Sequence, residues 1–343
     1  KMDLARERVA NILGADTSEI VFTSCGTESN NYAIHCSLEA HPEKKHVITT
    51  KVEHPAVLNV CKYFGKQGYE VTELGVNKDG MLDLDELRDS IKDNTAIVSI
   101  MHANNETGVI FPIEEIGKIV KEKGVLFHCD AVQAIGKIPL NLKNSHIDLL
   151  SMSGHKLHAP KGVGVLFIRK GVRIDPLIIG GHQEDNRRSG TENVPYIIGL
   201  GKACELAEGF VKQEQTEVRR LRDKLEKGIK DQLTHVVISG ENSERLPNTS
   251  SVSFEYVEGE ATLLLLDMAG IATSSGSACT TGSAEPSHVL QAMGIPPVTS
   301  RGTIRFSLSK FNTDDDVDYI LEKLVPIVKR LQSLSPLFED SQA

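Results

Sequence analysis

Val125-Leu126-Phe127-His128-Cys129-Asp130-Ala131-Val132-Gln133 decides the fold. Residues 125–128 form a short β-type run without polar alternation, and the run stops at a carboxylate. A strand buried on both faces reads this way, and such strands belong to parallel sheets. An Asp directly after a buried strand is costly unless it is paired or hydrogen-bonded. Asp130 therefore either caps the next helix or holds a positively charged group such as a ring nitrogen.

The same pattern recurs on both sides of this stretch. Residues 20–23, 47–50, 96–101, 147–151 and 163–168 are further apolar or β-branched runs. Amphipathic helical patterns at 55–67, 84–92 and 113–123 lie between them. Strand–helix alternation predicts an open α/β sheet, mostly parallel. Ligands of such sheets sit beyond the carboxyl ends of the strands. A charged helical region, 194–232, leads into a smaller α+β unit with strands at 236–239, 249–254 and 303–308. Its last helix starts at Thr313, which forms a capping box with Asp316. Boundaries fall at 15–212 for the large domain and 213–343 for the small one. Residues 1–14 read as a helix already in progress.

Composition excludes several classes. The 343 residues carry a net charge of −9, which argues against a nucleic-acid partner. No apolar run reaches membrane-spanning length. Six cysteines, with no CxxC among them, are too sparse for a disulfide scaffold. They predict single reduced thiols and a cytoplasmic setting. There is no GxxxxGK[ST], HExxH or GxSxG. Gly162-Val163-Gly164 leads into a strand and reads as a turn. The 12 histidines include none at zinc-ligand spacing with Cys, so no metal centre is expected.

Four polar clusters follow predicted strands. The first, Thr23 through Asn31, places small hydroxyl residues at a helix N-terminus, which suits a phosphate or serves as an ordinary cap. The second is Asp130 with Gln133. The third, Ser151-Met152-Ser153-Gly154-His155-Lys156, puts a Lys just beyond a buried strand, where a depressed pKa and Schiff-base chemistry become accessible. The fourth, Ala272 through Ser283, is small and polar, with Cys279 near its middle. Together, an anion-binding turn, an Asp, a Lys and a Cys suggest pyridoxal phosphate (PLP) chemistry, a cofactor that needs a Lys Schiff base, a carboxylate on its ring nitrogen and a phosphate cup.

With these residues in view, the sequence resembles cysteine desulfurases of the NifS/IscS type, in the class V aminotransferase group. The resemblance rests on Cys25-Gly26-Thr27-Glu28-Ser29-Asn30, Glu53-His54, Asn104-Asn105-Glu106-Thr107-Gly108, Asp130 to Gln133, Ser153 to Lys156, Arg188-Ser189-Gly190-Thr191, Ser274 to Cys279 and Ile304-Arg305-Phe306-Ser307. It implies a fold-type I PLP-dependent transferase: a large domain on a mostly parallel seven-stranded sheet, and a smaller α+β domain.

The resemblance also implies roles. Lys156 would hold PLP and later move the substrate Cα proton. Asp130 would bind the ring nitrogen, Gln133 the phenolic oxygen, and His54 would stack on the ring. Gly26, Thr27, Ser153 and His155 would hold the phosphate. Thr191 would reach the phosphate of a partner subunit, which implies a homodimer. Asn105, beside the cofactor, and Arg305 would bind the substrate carboxylate. Cys279 would take sulfur from L-cysteine as a persulfide, releasing L-alanine and supplying an iron–sulfur scaffold or another acceptor protein. The other five cysteines read as packing groups.

Taken singly, the residues admit plainer readings. His54 before Pro55 is a natural helix cap, Asn105 a turn residue and Arg305 a surface ion pair. The Cys279 segment, with Glu285-Pro286-Ser287-His288, looks more NifS-like than IscS-like. A selenocysteine lyase or related β-lyase, and a non-catalytic scaffold for sulfur acceptors, are the competing functions. Family members carry a further N-terminal segment, so the chain is expected to be a fragment.

Overall fold

The computed structural model describes residues 1–275, 287–336 and 338. The chain divides into two units. The first comprises Lys1–Gly75, Leu82–Asn104 and Phe111–Val211; the second comprises Val76–Met81, Asn105–Ile110 and Lys212–Ala343. Two short segments, 76–81 and 105–110, thus interrupt the first unit in sequence and belong to the second.

The first unit opens with helix α1 (Met2–Leu13), followed by β1 (Ile20–Thr23), α2 (Gly26–Ala40), β2 (His46–Thr50), α3 (Pro55–Lys66) and β3 (Glu70–Leu74). It continues with α4 (Leu84–Ser90), β4 (Thr95–Ser99), α5 (Ile113–Glu122), β5 (Leu126–Asp130), β6 (Leu149–Ser153) and β7 (Gly164–Ile168). The seven strands lie in the order β1-β7-β6-β5-β4-β2-β3. Neighbours from β3 through β6 pair in parallel, while β7 runs antiparallel to both β6 and β1. The α/β, mostly parallel expectation therefore holds. Six strands fall on the predicted apolar runs. They are buried along nearly their whole length, which explains why those runs do not alternate. The seventh, β3, has no such run. It is an edge strand, paired to β2 alone and largely half-exposed.

Buried side chains from α2, α3 and the strands form one core, with Tyr32, Ile34, Val47, Ile97, Leu149 and Leu166 fully buried. Two buried histidines are built into the sheet. His128 contacts Ser99 Oγ through Nδ1 at 2.8 Å and Ser151 Oγ through Nε2 at 2.9 Å. His46 contacts Thr95 Oγ1 and Thr72 Oγ1, each at 2.8 Å. Each imidazole thereby ties together three neighbouring strands.

The predicted helical region 194–232 is α6 (Val194–Gln213) and α7 (Arg219–Gln232), joined by a π turn at Glu214–Val218. The second unit continues with β8 (Val236–Ile238), β9 (Thr249–Phe254), α8 (Gly259–Met268), β10 (Ser274–Ser275), α9 (His288–Ala292), α10 (Pro297–Ser300), β11 (Thr303–Ser307) and α11 (Asp314–Ser333). Its strands pair antiparallel in the order β10-β11-β9-β8. The capping box of α11 forms as expected: Asp316 N donates to Thr313 Oγ1 and Thr313 N donates to Asp316 Oδ2. Val317, Leu324 and Val328 of α11 join Leu225, Val252, Phe254 and Ile304 in this unit's own core.

None of the described helices is long and apolar enough to cross a membrane. The described residues contain no cluster of His, Cys, Asp and Glu able to hold a metal ion.

Candidate active site

Asp130 ends β5 and Ser153 ends β6, at the carboxyl edge of the parallel strands; Thr23 ends β1, which is separated from β6 by β7. Gly164, the first residue of β7, lies where a Cβ would come within 2.7 Å of the Cys25 carbonyl carbon and 2.8 Å of Thr23 Oγ1. Only a glycine lets the Ser24–Gly26 turn approach the strand this closely.

The turn leads into α2 with Cys25 as its N-cap, and the Cys25 side chain makes no capping bond. The first turn of α2 thus keeps the N–H character that suits an anion. A Cβ on Gly26 would lie 3.0 Å from Val132 Cγ2 and 3.3 Å from Ser153 Cβ, so the glycine leaves a small cradle between them. Ser153 Oγ contacts His155 Nδ1 at 2.8 Å. Burial, with Lys156 and Lys161 nearby, lowers the His155 pKa. Lys156 lies in the 3-10 turn Gly154–Leu157, directly beyond β6, and is half-buried.

Asp130 is buried, and its carboxylate is fixed at both oxygens. Asn30 Nδ2 donates to Oδ2 at 2.7 Å and the Val132 N–H donates to Oδ1 at 3.0 Å. Burial raises the Asp130 pKa, while the Val132 and Asn30 bonds and His54 pull it down. A cationic ring nitrogen at this carboxylate adds the charge that burial withholds. Asn30 Oδ1 is itself buried without a hydrogen-bond partner, so the polar demand of the site is incompletely met from within. Gln133 is half-buried, and its Oε1 accepts from Lys137 Nζ at 3.1 Å.

His54 is the N-cap of α3, with Nδ1 accepting the Ala56 N–H at 3.1 Å. The plain cap reading therefore holds for Nδ1, and a neutral ring carries its proton on Nε2. Thr27 and His54 line one cavity of about 550 Å³ together with Asn31, Pro55 and Asn59. The residues present fit PLP. They offer an uncapped helix N-terminus with a glycine cradle, a buried oriented carboxylate, an imidazole beside them and a half-buried Lys at the strand end.

Three groups tie this region together that the sequence reading assigned no role. Asn30 orients Asp130 from 100 residues away. Arg188 forms a two-pronged ion pair with Glu28, at 2.9 and 3.2 Å, and Glu28 also accepts the Ser24 N–H at 2.8 Å. Burial works against the Glu28 charge, but the Arg188 and Ser24 bonds outweigh it and hold the carboxyl below its usual range. This pair anchors the Arg188–Thr191 motif to the α2 turn, while Thr191 itself is exposed. Glu184 anchors the same loop from the other side. Its carboxylate accepts from Arg6 at 2.8 Å on both oxygens and from the Phe22 N–H at 2.9 Å. Glu184, Asp185 and Asn186 all have positive φ (49°, 56° and 65°), a strained run that these bonds hold in place.

In the second unit, Arg305 Nη1 donates to the Asn105 carbonyl at 2.8 Å. Among the described residues Arg305 forms no ion pair, and this backbone bond is its hydrogen bond there. Glu106 next to Asn105 is buried and accepts from Ser287 Oγ. Cys279 lies outside the described residues. Of the other five cysteines, Cys36, Cys61, Cys129 and Cys204 are buried and Cys25 is half-exposed. Burial pushes the Cys36, Cys61 and Cys204 thiols up to about 12, which suits packing groups and not nucleophiles.

Comparison with known proteins gives the family of the chain. The model of the family "Aminotransferase class-V" matches residues 1–320. A cysteine desulfurase from Nostoc sp. is 60% identical over 336 residues, covering 98% of this chain and 84% of that protein. The cysteine desulfurase NifS of Azotobacter vinelandii is 56% identical over 333 residues, covering 97% and 83%. A solved structure titled "NIFS-LIKE PROTEIN" superposes with a TM-score of 0.89 at 43% identity, covering 96% of this chain and 87% of that one. The chain belongs to the class V aminotransferase family and, within it, to the cysteine desulfurases.

Proposed function

We propose that this chain converts L-cysteine to L-alanine with PLP bound at the β5–β6 edge, and that Cys279 receives the sulfur. The observation that carries the reading is Asp130: a buried carboxylate, fixed at both oxygens, one strand away from the half-buried Lys156. Bound PLP supplies an electron sink for the pair released at the substrate Cα.

The chain's own residues do the rest. Asp130 holds the ring nitrogen in its protonated form. Thr27, Ser153, His155 and the Gly26 N–H hold the phosphate, with Thr191 reaching the partner subunit's site in a homodimer. Gln133 donates to the ring oxygen, and Asn105 lies close to the cofactor. His54 packs on the ring face and offers Nε2 for proton movement. Lys156 holds the cofactor and moves the Cα proton. Arg305 and Asn105 bind the substrate carboxylate. The Cys279 thiolate then bonds to the substrate sulfur as the Cβ–S bond breaks. The carbon keeps the bond pair, takes up a proton and leaves as alanine, and the persulfide passes to an iron–sulfur scaffold or another acceptor protein.

The test is incubation of the PLP-loaded protein with L-cysteine, followed by mass spectrometry of the Cys279 peptide and an alanine assay. A gain of one sulfur at Cys279 is expected. Cys279→Ser should keep the cofactor absorption and lose sulfur output, whereas Lys156→Ala should change the absorption. Undiminished sulfur transfer by Cys279→Ser sinks the assignment.

A further inference from the structure

Glu53 precedes His54 in sequence, yet it is fully buried, and the function as derived so far gives it no task. Its Oε1 accepts the Met101 N–H at 2.9 Å and the Thr50 hydroxyl at 2.9 Å. The neighbouring Val52 carbonyl accepts Asn104 Nδ2 at 3.0 Å. The turn at 51–54, which links β2 to α3, is therefore fastened at two successive residues to the segment following β4. That segment is tied in turn to β5, because the His102 N–H donates to the Asp130 carbonyl at 2.9 Å. The turn ends at His54, whose ring orientation is further set by the bond from Ala56 N.

We propose that Glu53 is a positioning residue of the cofactor site: its buried carboxyl, bonded to Met101 and Thr50, fixes the turn that presents His54. The inference rests on the reading of His54 as the residue packed on the cofactor ring. Burial raises the Glu53 pKa to about 8, and Asp130 adds to the rise against the opposing Met101 and Thr50 bonds. Glu53 also adds to the raised pKa of the Cys61 thiol on α3 and of the Cys129 thiol on β5, both of which burial keeps protonated. A neutral acid in this place serves two ends. It accepts the two bonds through its carbonyl oxygen. It also leaves the negative charge with Asp130, where Asn30 and the Val132 N–H are oriented to hold it.

A neutral acid of this kind has a close substitute in glutamine. Glu53→Gln keeps the accepting oxygen and the volume, and Glu53→Met keeps the volume alone. PLP dissociation constants and bound-cofactor absorption spectra are measured for both variants, for His54→Ala and for the parent protein, with circular dichroism as the check on folding. Glu53→Gln is expected to stay within about twofold of the parent in PLP affinity, because both bonds to the accepting oxygen are retained. Glu53→Met is expected to weaken PLP binding by about tenfold or more, as two lost bonds imply, and to shift the absorption in the same sense as His54→Ala. A Glu53→Met protein that folds and binds PLP like the parent, while His54→Ala is altered, overturns the inference and leaves the reading of His54 standing. A Glu53→Gln protein as impaired as Glu53→Met overturns it too, by requiring a charged carboxylate. His54→Ala indistinguishable from the parent overturns the reading of His54 and the inference with it. Should Glu53→Met not fold, Asn104→Ala releases the same turn at Val52 and is held to the same outcomes.

Discussion

Asn30 Nδ2 donates to Asp130 Oδ2 across 2.7 Å, joining the first turns of α2 to the end of β5 in the buried floor of the strand-end cluster. Hydrogen bonds to a charged acceptor contribute about 1.5–3 kcal/mol, more than neutral ones. Removing this donor leaves Asp130 with the Val132 N–H and a carboxylate free to rotate. Asn30→Ala should therefore weaken PLP binding by roughly tenfold to a hundredfold, the conversion of that energy. Titration of the apoprotein with PLP, followed by absorption, gives the number. Unchanged affinity means that Asp130 needs no second donor.

Six of the seven strands of the large sheet are legible because burial on both faces forces runs of apolar residues. Strand β3 is not, because an edge strand with partly solvated faces places Glu70, Thr72 and Glu73 in it. The assignment of 76–81 and 105–110 to the second unit leaves no local mark, since it depends on distant partners such as Arg245, which bridges to Val109. The strand-end groups Asp130, Ser153 and Lys156 stand out as polar residues after apolar runs. Their supports do not. Asn30 to Asp130 and Glu28 to Arg188 span 100 and 160 residues, and each of these residues reads locally as ordinary helix or loop chemistry.

The two strand-bridging histidines give the fold an acid sensitivity of known sign. Burial lowers the pKa of His46, and that of His128 to about 3. Unfolded histidine titrates near 6.5. Between these values the unfolded chain binds protons that the folded chain refuses. The His128 contribution is therefore complete above about pH 6.5 and is lost as pH falls toward 3, with a slope up to about 1.4 kcal/mol per pH unit, and His46 acts with the same sign. Glu53 acts with the opposite sign: its raised pKa favours the folded state at low pH, and that advantage is lost as pH rises toward 8. A comparison of the parent with His128→Gln separates the two. The variant should be less stable at pH 7 but lose less stability between pH 6 and 4 in chemical denaturation. Parallel curves rule His128 out as the acid sensor.

In the second unit, Glu226 and Arg245 form a two-pronged ion pair at 2.7 and 2.8 Å, with side chains 10% and 6% exposed. Burial penalises the Glu226 charge, yet Arg245 more than offsets this and holds the carboxyl below its usual range. Breaking such a pair strands a buried charge, at a cost of about 3–5 kcal/mol. Glu226→Ala should lower the unfolding midpoint of this unit accordingly. Replacing both partners by Met should recover much of the loss, because no lone charge remains. If the double variant is no better than the single one, the pair's value lies in its geometry and not in charge compensation.

Lys137 and Gln133 lie one turn apart, and Lys137 Nζ holds Gln133 Oε1 at 3.1 Å. An amide whose oxygen is held in this way turns its NH2 group in the other direction. The Gln133 side chain then acts as a donor, which is the role required toward the ring oxygen of PLP. Lys137→Met keeps the stem and removes the donor, so the amide loses its preferred orientation. At about 0.5–1.5 kcal/mol for one hydrogen bond, PLP affinity should fall roughly twofold to tenfold, with a change in cofactor absorption. Lys137→Arg should restore both. A double-mutant cycle makes the claim specific: if Lys137 acts through Gln133, Lys137→Met should add little in a Gln133→Ala background. Full additivity of the two losses would falsify the coupling and leave Lys137 as a cation acting on the site by charge alone.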